Sequence, residues 1–380
     1  MECDLTRSIT SSRALAIDSI HVNAMQKQNF TRLCQIIWPG MPPDEFVHEN
    51  YSALREFFQF QADIVADRQG SYAKISGEEM ISVIRQLAGD ANVFASTENA
   101  VAAVRKLDLF SDVVSDTTIL NCVDMALRMM LTLDVQSSLV ARQSASPSLV
   151  CWDDSSGLAE TIRSFFTNTR GHTADMKTGR IEPSMTMAYI CNRKGMSVWW
   201  TSNLAEHLHI DWKSRIIKVY EHKIFLRNHL RDPKHSMIPP PILEEALDTL
   251  NVLFPLMDPP TKVLLERNGK TFNGLGVCSR PRDASLDLGK FYIWRSRMAE
   301  LIEVMNEEPR GLKQLALEEN GKNMLPFLTF WVAIAVGVLT IANLPFAIVS
   351  MVYTIRQYEL ALALACSVPE TQQSLSQFCG

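Results

Sequence analysis

The sequence predicts a mainly α protein, with a helical cytosolic body, a small mixed α/β element near 195–230 and a C-terminal transmembrane helix. Three observations carry this. No charged residue occurs between Lys322 and Arg356, helical spacing of apolar residues dominates the N-terminal third, and strand-like residues concentrate in Arg215-IIKV-Tyr220.

The uncharged run Met324-LPFLTFWVAIAVGVLTIANLPFAIVSMV-Tyr353 is the most informative stretch. A helix rises about 1.5 Å per residue, so about 20 apolar residues cross a hydrocarbon core of roughly 30 Å. This run is longer than that. Phe327, Trp331, Ile334, Val338, Leu344 and Phe346 fall on every face of a helix, so the lipid bilayer is the expected surrounding. Asn343 and Pro345 leave two geometries open. One is a single tilted helix over 325–347, continuing past a kink into an interfacial helix. The other is a re-entrant hairpin turning at 342–345, because proline removes a backbone donor. Each arm of the hairpin would be too short to cross the bilayer, which favours a single pass, and Arg310, Lys313 and Lys322 before the run against Arg356 after it favour a cytoplasmic N-terminal body.

Within the body, Leu54, Phe57, Phe58, Ile64 and Val65 recur at helical intervals across 51–68. Ser76 and Glu79 match a capping box that opens a helix over 78–88. Further helices are expected at 118–133, 158–168, 203–209, 242–254 and 285–305. The small, polar stretch at 143–148, broken by Pro147, reads as a linker. The expected organisation is an N-terminal helical region (1–142), a central helical region holding the mixed element (143–309), a juxtamembrane and membrane segment (310–355) and a C-terminal tail (356–380).

A net charge of −5 argues against nucleic acid as a partner, since phosphate binding needs a basic face. The eight cysteines are scattered and form no C-x-x-C spacing, which suits free thiols in a reducing compartment. Nucleotide-binding glycine loops, the G-x-S-x-G elbow and kinase signatures are all missing, and neither a cofactor nor a metal is expected. Asp153-Asp154 lacks the third carboxylate of an aspartate-rich magnesium motif, because Gly157 stands at that position. Acidity at a helix start explains the pair.

Histidine supplies the one cluster: His207, His209, His222, His229 and His235, beside Glu206, Asp211, Glu221 and Asp232. The plain reading is a set of core and tip histidines in one packed unit. The sharper reading makes His207 or His222 a general acid/base oriented by Glu206 or Glu221. A metal site is disfavoured because the i, i+4 histidine pair of H-E-x-x-H is absent.

Two stretches carry a resemblance. Trp200-TSNLAEHLHI-Asp211, followed by Val219-YEHKIFLRNH-Leu230, is similar to a "W-T-x-N-L-A-x-H-L … Y-x-H-x-x-x-L-x-x-H" segment. Phe291-YIWRSRMAELIEVMNEEPRGLKQ-Leu315 and Thr329-FWVAIAVGVLT-Ile341 follow a "Y-x-W-R-S-R … P-R-G … T-F-W-x-A" ending. In both, the chain resembles a large group of uncharacterised fungal membrane-anchored proteins. The resemblance implies a helical cytosolic body with a C-terminal membrane helix, and brings no catalytic residue with it. The expected function is a membrane-anchored interaction or accessory protein, serving a fungal natural-product (secondary metabolism) pathway. Tyr292 and Trp294 are expected to face a protein partner at the membrane. The alternative is a membrane-bound cyclase or transferase that acts on an apolar small molecule through the His207/His222 cluster.

Overall fold

A computed structural model of the chain describes residues 20–67, 75–110, 114–137, 146–152, 156–168, 181–275, 287–307, 324–367 and 377–378. The chain divides into two compact units, Met1–Glu308 and Pro309–Gly380.

The larger unit is mainly α. Its helices are α1 (Ile20–Ile37), α2 (Ser52–Asp67), α3 (Gly77–Ala88), α4 (Thr97–Arg105), α5 (Asp116–Leu131), α6 (Leu158–Asn168) and α7 (Met187–Lys194). These are followed by α8 (Lys223–Arg231), α9 (Pro240–Leu253), α10 (Pro259–Arg267) and α11 (Arg295–Asn306). Helices α5 and α9 lie deep in the core, each with ten buried residues, among them Leu120, Val123, Leu127 and Met130 on α5. A fully buried leucine or valine side chain contributes about 1.5–3 kcal/mol, so these two helices anchor much of the core. The capping box forms as its spacing predicts. The Glu79 amide donates to Ser76 Oγ at 3.3 Å, and the Ser76 amide donates to Glu79 Oε2 at 2.6 Å.

Two short sheets accompany the helices. Strands β1 (Val135–Ser137) and β2 (Val150–Trp152) pair in parallel. Strand β5 (Ile216–Tyr220) lies between β3 (Ser197–Thr201), parallel to it, and β4 (Ile210–Asp211), antiparallel to it. With α8 they form the mixed element expected near 195–230.

One hydrophobic cluster runs from Phe30 to Val304. The regions expected at 1–142 and 143–309 therefore share a core, and β1 pairs with β2 across the expected linker. Part of that linker (143–145) and Asp153-Asp154 lie outside the described residues.

Two expected helices are corrected. Residues 203–209 hold only a single 3-10 turn, Leu204–Glu206, because β3 runs up to Thr201 and the chain must return as β4. The Asn203 side chain caps that turn by accepting from the Ala205 amide at 2.9 Å. The helix expected from 285 begins only at Arg295. The amides of Tyr292, Ile293 and Trp294 instead donate to the Glu245 carboxylate on α9, at 2.9, 2.7 and 2.6 Å. Those donors stand at the entry of α11, where intrahelical acceptors are missing and where Trp294 offers no side-chain cap.

The smaller unit contains α12 (Met324–Cys366), 43 residues of continuous helix. At about 1.5 Å per residue it is about 65 Å long. It runs unbroken through Pro345, so the hairpin geometry is excluded and the tail expected to begin at 356 starts inside the helix. Phe327–Cys366 is long and apolar enough to span a membrane, with its apolar window unburied within the protein. Trp331, Ile334, Val338, Leu344 and Phe346 are exposed, and Phe327 is half-buried. Cys366 is disulfide-bonded, which departs from the expected free thiols.

Replacing Glu245 with alanine strands three amides of a turn that runs from exposed Tyr292 to buried Trp294. It should lower unfolding stability by about 3 kcal/mol, against about 1 kcal/mol for Glu245→Gln. Denaturant midpoints of the full chain in detergent, read by tryptophan fluorescence, check this.

Candidate functional site

The histidine cluster does not converge on a shared cavity. His207 follows the 3-10 turn and is fully buried. Its Nδ1 accepts from the Tyr220 amide at 3.2 Å, so the proton of the neutral ring resides on Nε2. Nε2 then donates to Thr249 Oγ1 at 2.8 Å, and Thr249 Oγ1 donates to the Ala246 carbonyl at 2.6 Å. The Trp294 ring meets the imidazole edge-on at 5.0 Å. Arg297 donates to the carbonyls of Ala205 (2.8 Å) and His207. Burial, and then the Arg297 charge, push His207 down to about 3. Every polar atom of this ring is occupied by the fold.

The expected orienting carboxylates point elsewhere. Glu206 accepts from Lys218 Nζ at 2.6 Å and Thr201 Oγ1 at 2.8 Å. Burial raises its pKa, and those two hydrogen bonds together with the Lys218 and His209 charges bring it below the ordinary value. Glu221 accepts from Ser202 Oγ at 2.7 Å and from Lys270. Burial again acts upward, and the charges of His222 and Lys270 bring Glu221 below the usual carboxylate range.

His222 lies 3.7 Å from Glu221 Oε1, too far for a hydrogen bond. It is enclosed by Phe57 at 5.1 Å and Tyr220 at 5.7 Å, and burial pushes it down to about 4. His235 pairs with Asp232 at 2.7 Å, and Asp232 also accepts from the Gly40 amide at 3.0 Å. Among the described residues no three His, Cys, Asp or Glu side chains gather as a metal site.

The largest departure from the sequence reading is His229 on α8. It lines a cavity of about 640 Å³ between α1, α3, α5, α6 and the segment after α8. Ile37, Met130, Leu158 and His229 form its buried floor, while Asn92, Lys234 and His235 stand exposed at the rim. The imidazole packs against Phe225 at 4.3 Å and edge-on to Trp38 at 5.3 Å. Neither ring nitrogen completes a hydrogen bond among the described residues. Burial pushes His229 down to about 3, opposed by the Met130 carbonyl and by Asp232.

The sequence placed His229 in the cluster without separating it from its neighbours. Its helical spacing from Phe225 (i, i+4) was the available signal for a buried face. Asp124 was missed altogether. One of its carboxylate oxygens is buried without a partner among the described residues, and burial pushes it up to about 7 against the Ser137 amide and Arg128. Nothing in a lone mid-helix aspartate announces this.

No protein-family model, no curated protein and no solved structure matches this chain.

His207, His222 and His229 have folded pKa values below their ordinary one, so the unfolded chain binds more protons than the folded one as pH falls below about 6.5. Stability is therefore complete above that pH and is lost on acidification, by about 1.4 kcal/mol per pH unit for each ring. Unfolding titrations between pH 7 and pH 5 should show a steep loss, and His229→Phe should make it shallower.

Proposed function

We propose that this chain is a membrane-anchored accessory protein that presents its helical body to a protein partner at the membrane surface. The observation that carries the reading is α12, whose apolar side chains are exposed on every side and need lipid to cover them. On this reading the membrane is crossed once, with the larger unit in the cytoplasm. Two features support that orientation. Lysine and arginine are in excess before the helix. Cys34, Cys151 and Cys191 of the larger unit are free thiols, whereas Cys366 at the far end of α12 is disulfide-bonded, as on an oxidising side.

The geometry also selects which residues can meet a partner. Trp294 is 1% exposed and wedged against His207 and Arg297, so its expected partner contact is withdrawn. Tyr292 is 68% exposed and Met257 is 90% exposed, and both are available. Resemblance to fungal membrane-anchored proteins supports a place beside a natural-product pathway. His207, Glu206 and Glu221 are engaged within the fold, and His222, whose ring nitrogens have no hydrogen-bond partner among the described residues, is buried between Phe57 and Tyr220, so the geometry does not favour the acid/base alternative.

Expressed in yeast, the full chain should resist carbonate extraction, and the chain ending at Glu308 should become soluble. A glycosylation acceptor added after residue 380 should be modified. A photo-crosslinker at Tyr292 should give one discrete adduct that needs residues 309–380. Release of the full chain by carbonate, or an unmodified acceptor, contradicts the reading.

A further inference from the structure

The cavity floored by His229 has features of a built binding site. Its volume of about 640 Å³ falls in the ordinary range for small-molecule pockets, and its floor is apolar apart from one ring. A buried polar atom without a partner costs stability, and His229 keeps one such nitrogen, the other being turned to the Met130 carbonyl, at a place where an apolar ring could also pack.

The chemistry of the ring narrows what it can take. A neutral imidazole carries one N–H and one bare nitrogen. The Met130 carbonyl acts on the ring and can only accept, so it draws the N–H side. The other nitrogen remains as a bare acceptor. A carboxylate, a ketone or an ether offers it nothing, whereas an O–H or N–H donates to it, and a hydroxyl brings the smallest polar group onto the apolar floor. We infer that this cavity binds a compact, largely apolar molecule bearing a hydroxyl group, with the hydroxyl donating to His229 and the apolar body lying over Ile37, Met130 and Leu158. Asn92 and Lys234 at the rim are left to water. This site is independent of the partner surface proposed above, and either can fail alone.

Gly157 gives a way to close the cavity without breaking the fold. A Cβ placed there meets the Phe94 carbonyl at 3.5 Å and Ala95 Cα at 4.0 Å, both ordinary contacts. Gly157 also lines the cavity, so a larger side chain there fills it.

The test uses the full chain in lipid nanodiscs and three probes of one shape: pyrenebutanol, its methyl ether and pyrenebutyric acid. Binding is read by tryptophan-to-pyrene energy transfer, with empty nanodiscs as blank. Pyrenebutanol should bind saturably at one site, about tenfold tighter than the ether or the acid. His229→Phe should bring the alcohol to the level of the ether while leaving the ether unchanged, with stability equal to or above the native chain. Gly157→Phe should abolish saturable binding of all three, with its thermal transition retained. Absence of saturable binding, equal affinity for alcohol and ether, tightest binding of the acid, or alcohol binding that survives either substitution would each overturn the inference.

Discussion

The body of this protein depends on one neutral imidazole. His207 sits where its own turn meets three other parts of the chain: β5, α9 and the start of α11. Tyr220 of β5 supplies an amide, Thr249 of α9 supplies an acceptor, Trp294 supplies a ring, and Arg297 of α11 clamps the carbonyls at 205 and 207. Protonating the ring would put an N–H against the Tyr220 N–H and place a positive charge near Arg297 in a dry interior. Both effects act in the same direction, which is why the ring stays neutral.

The contacts around it extend this constraint outward. Tyr220 also donates its hydroxyl to Thr132 Oγ1 at 2.7 Å, and Thr132 donates in turn to the Leu131 carbonyl at 2.7 Å. Thr132 ends α5 in the left-handed region at φ 50°, where a threonine is strained unless its surroundings hold it. Its carbonyl accepts from the Leu204 amide at 2.9 Å, three residues before His207. Glu245, one turn before Thr249 on α9, holds the three amides leading into α11. Helices α5, α9 and α11 and strand β5 are thus tied by polar contacts of defined geometry, on top of a hydrophobic cluster that alone specifies little about angle or register.

What was legible in the sequence was local. The Ser76–Glu79 box needs only three-residue spacing, and α12 needs only an uncharged run. Residues 51–68 show their helix through apolar spacing and the prolines at 239–241 mark the opening of the one at 242–254, and the helices found there match within two residues at each end. What was illegible depends on partners far along the chain. Glu245 acts on amides 47–49 residues away, so the residues before Arg295 looked helical. His207 and Glu206 are adjacent and seemed to form a dyad, but the 3-10 turn sends one to Thr249 and the other to Lys218. The cavity draws on α1, α3, α5, α6 and α8, and no single segment could have announced it.

The most direct test of this account is a pH titration of the full chain with its histidines labelled at the imidazole carbons, followed by NMR in detergent with His207→Gln used to assign the His207 signal. The account predicts a His207 resonance that stays in the neutral, Nε2-protonated form from pH 8 to pH 5. A His207 signal that moves with a midpoint near 6.5, or that reports the Nδ1-protonated form, would contradict it.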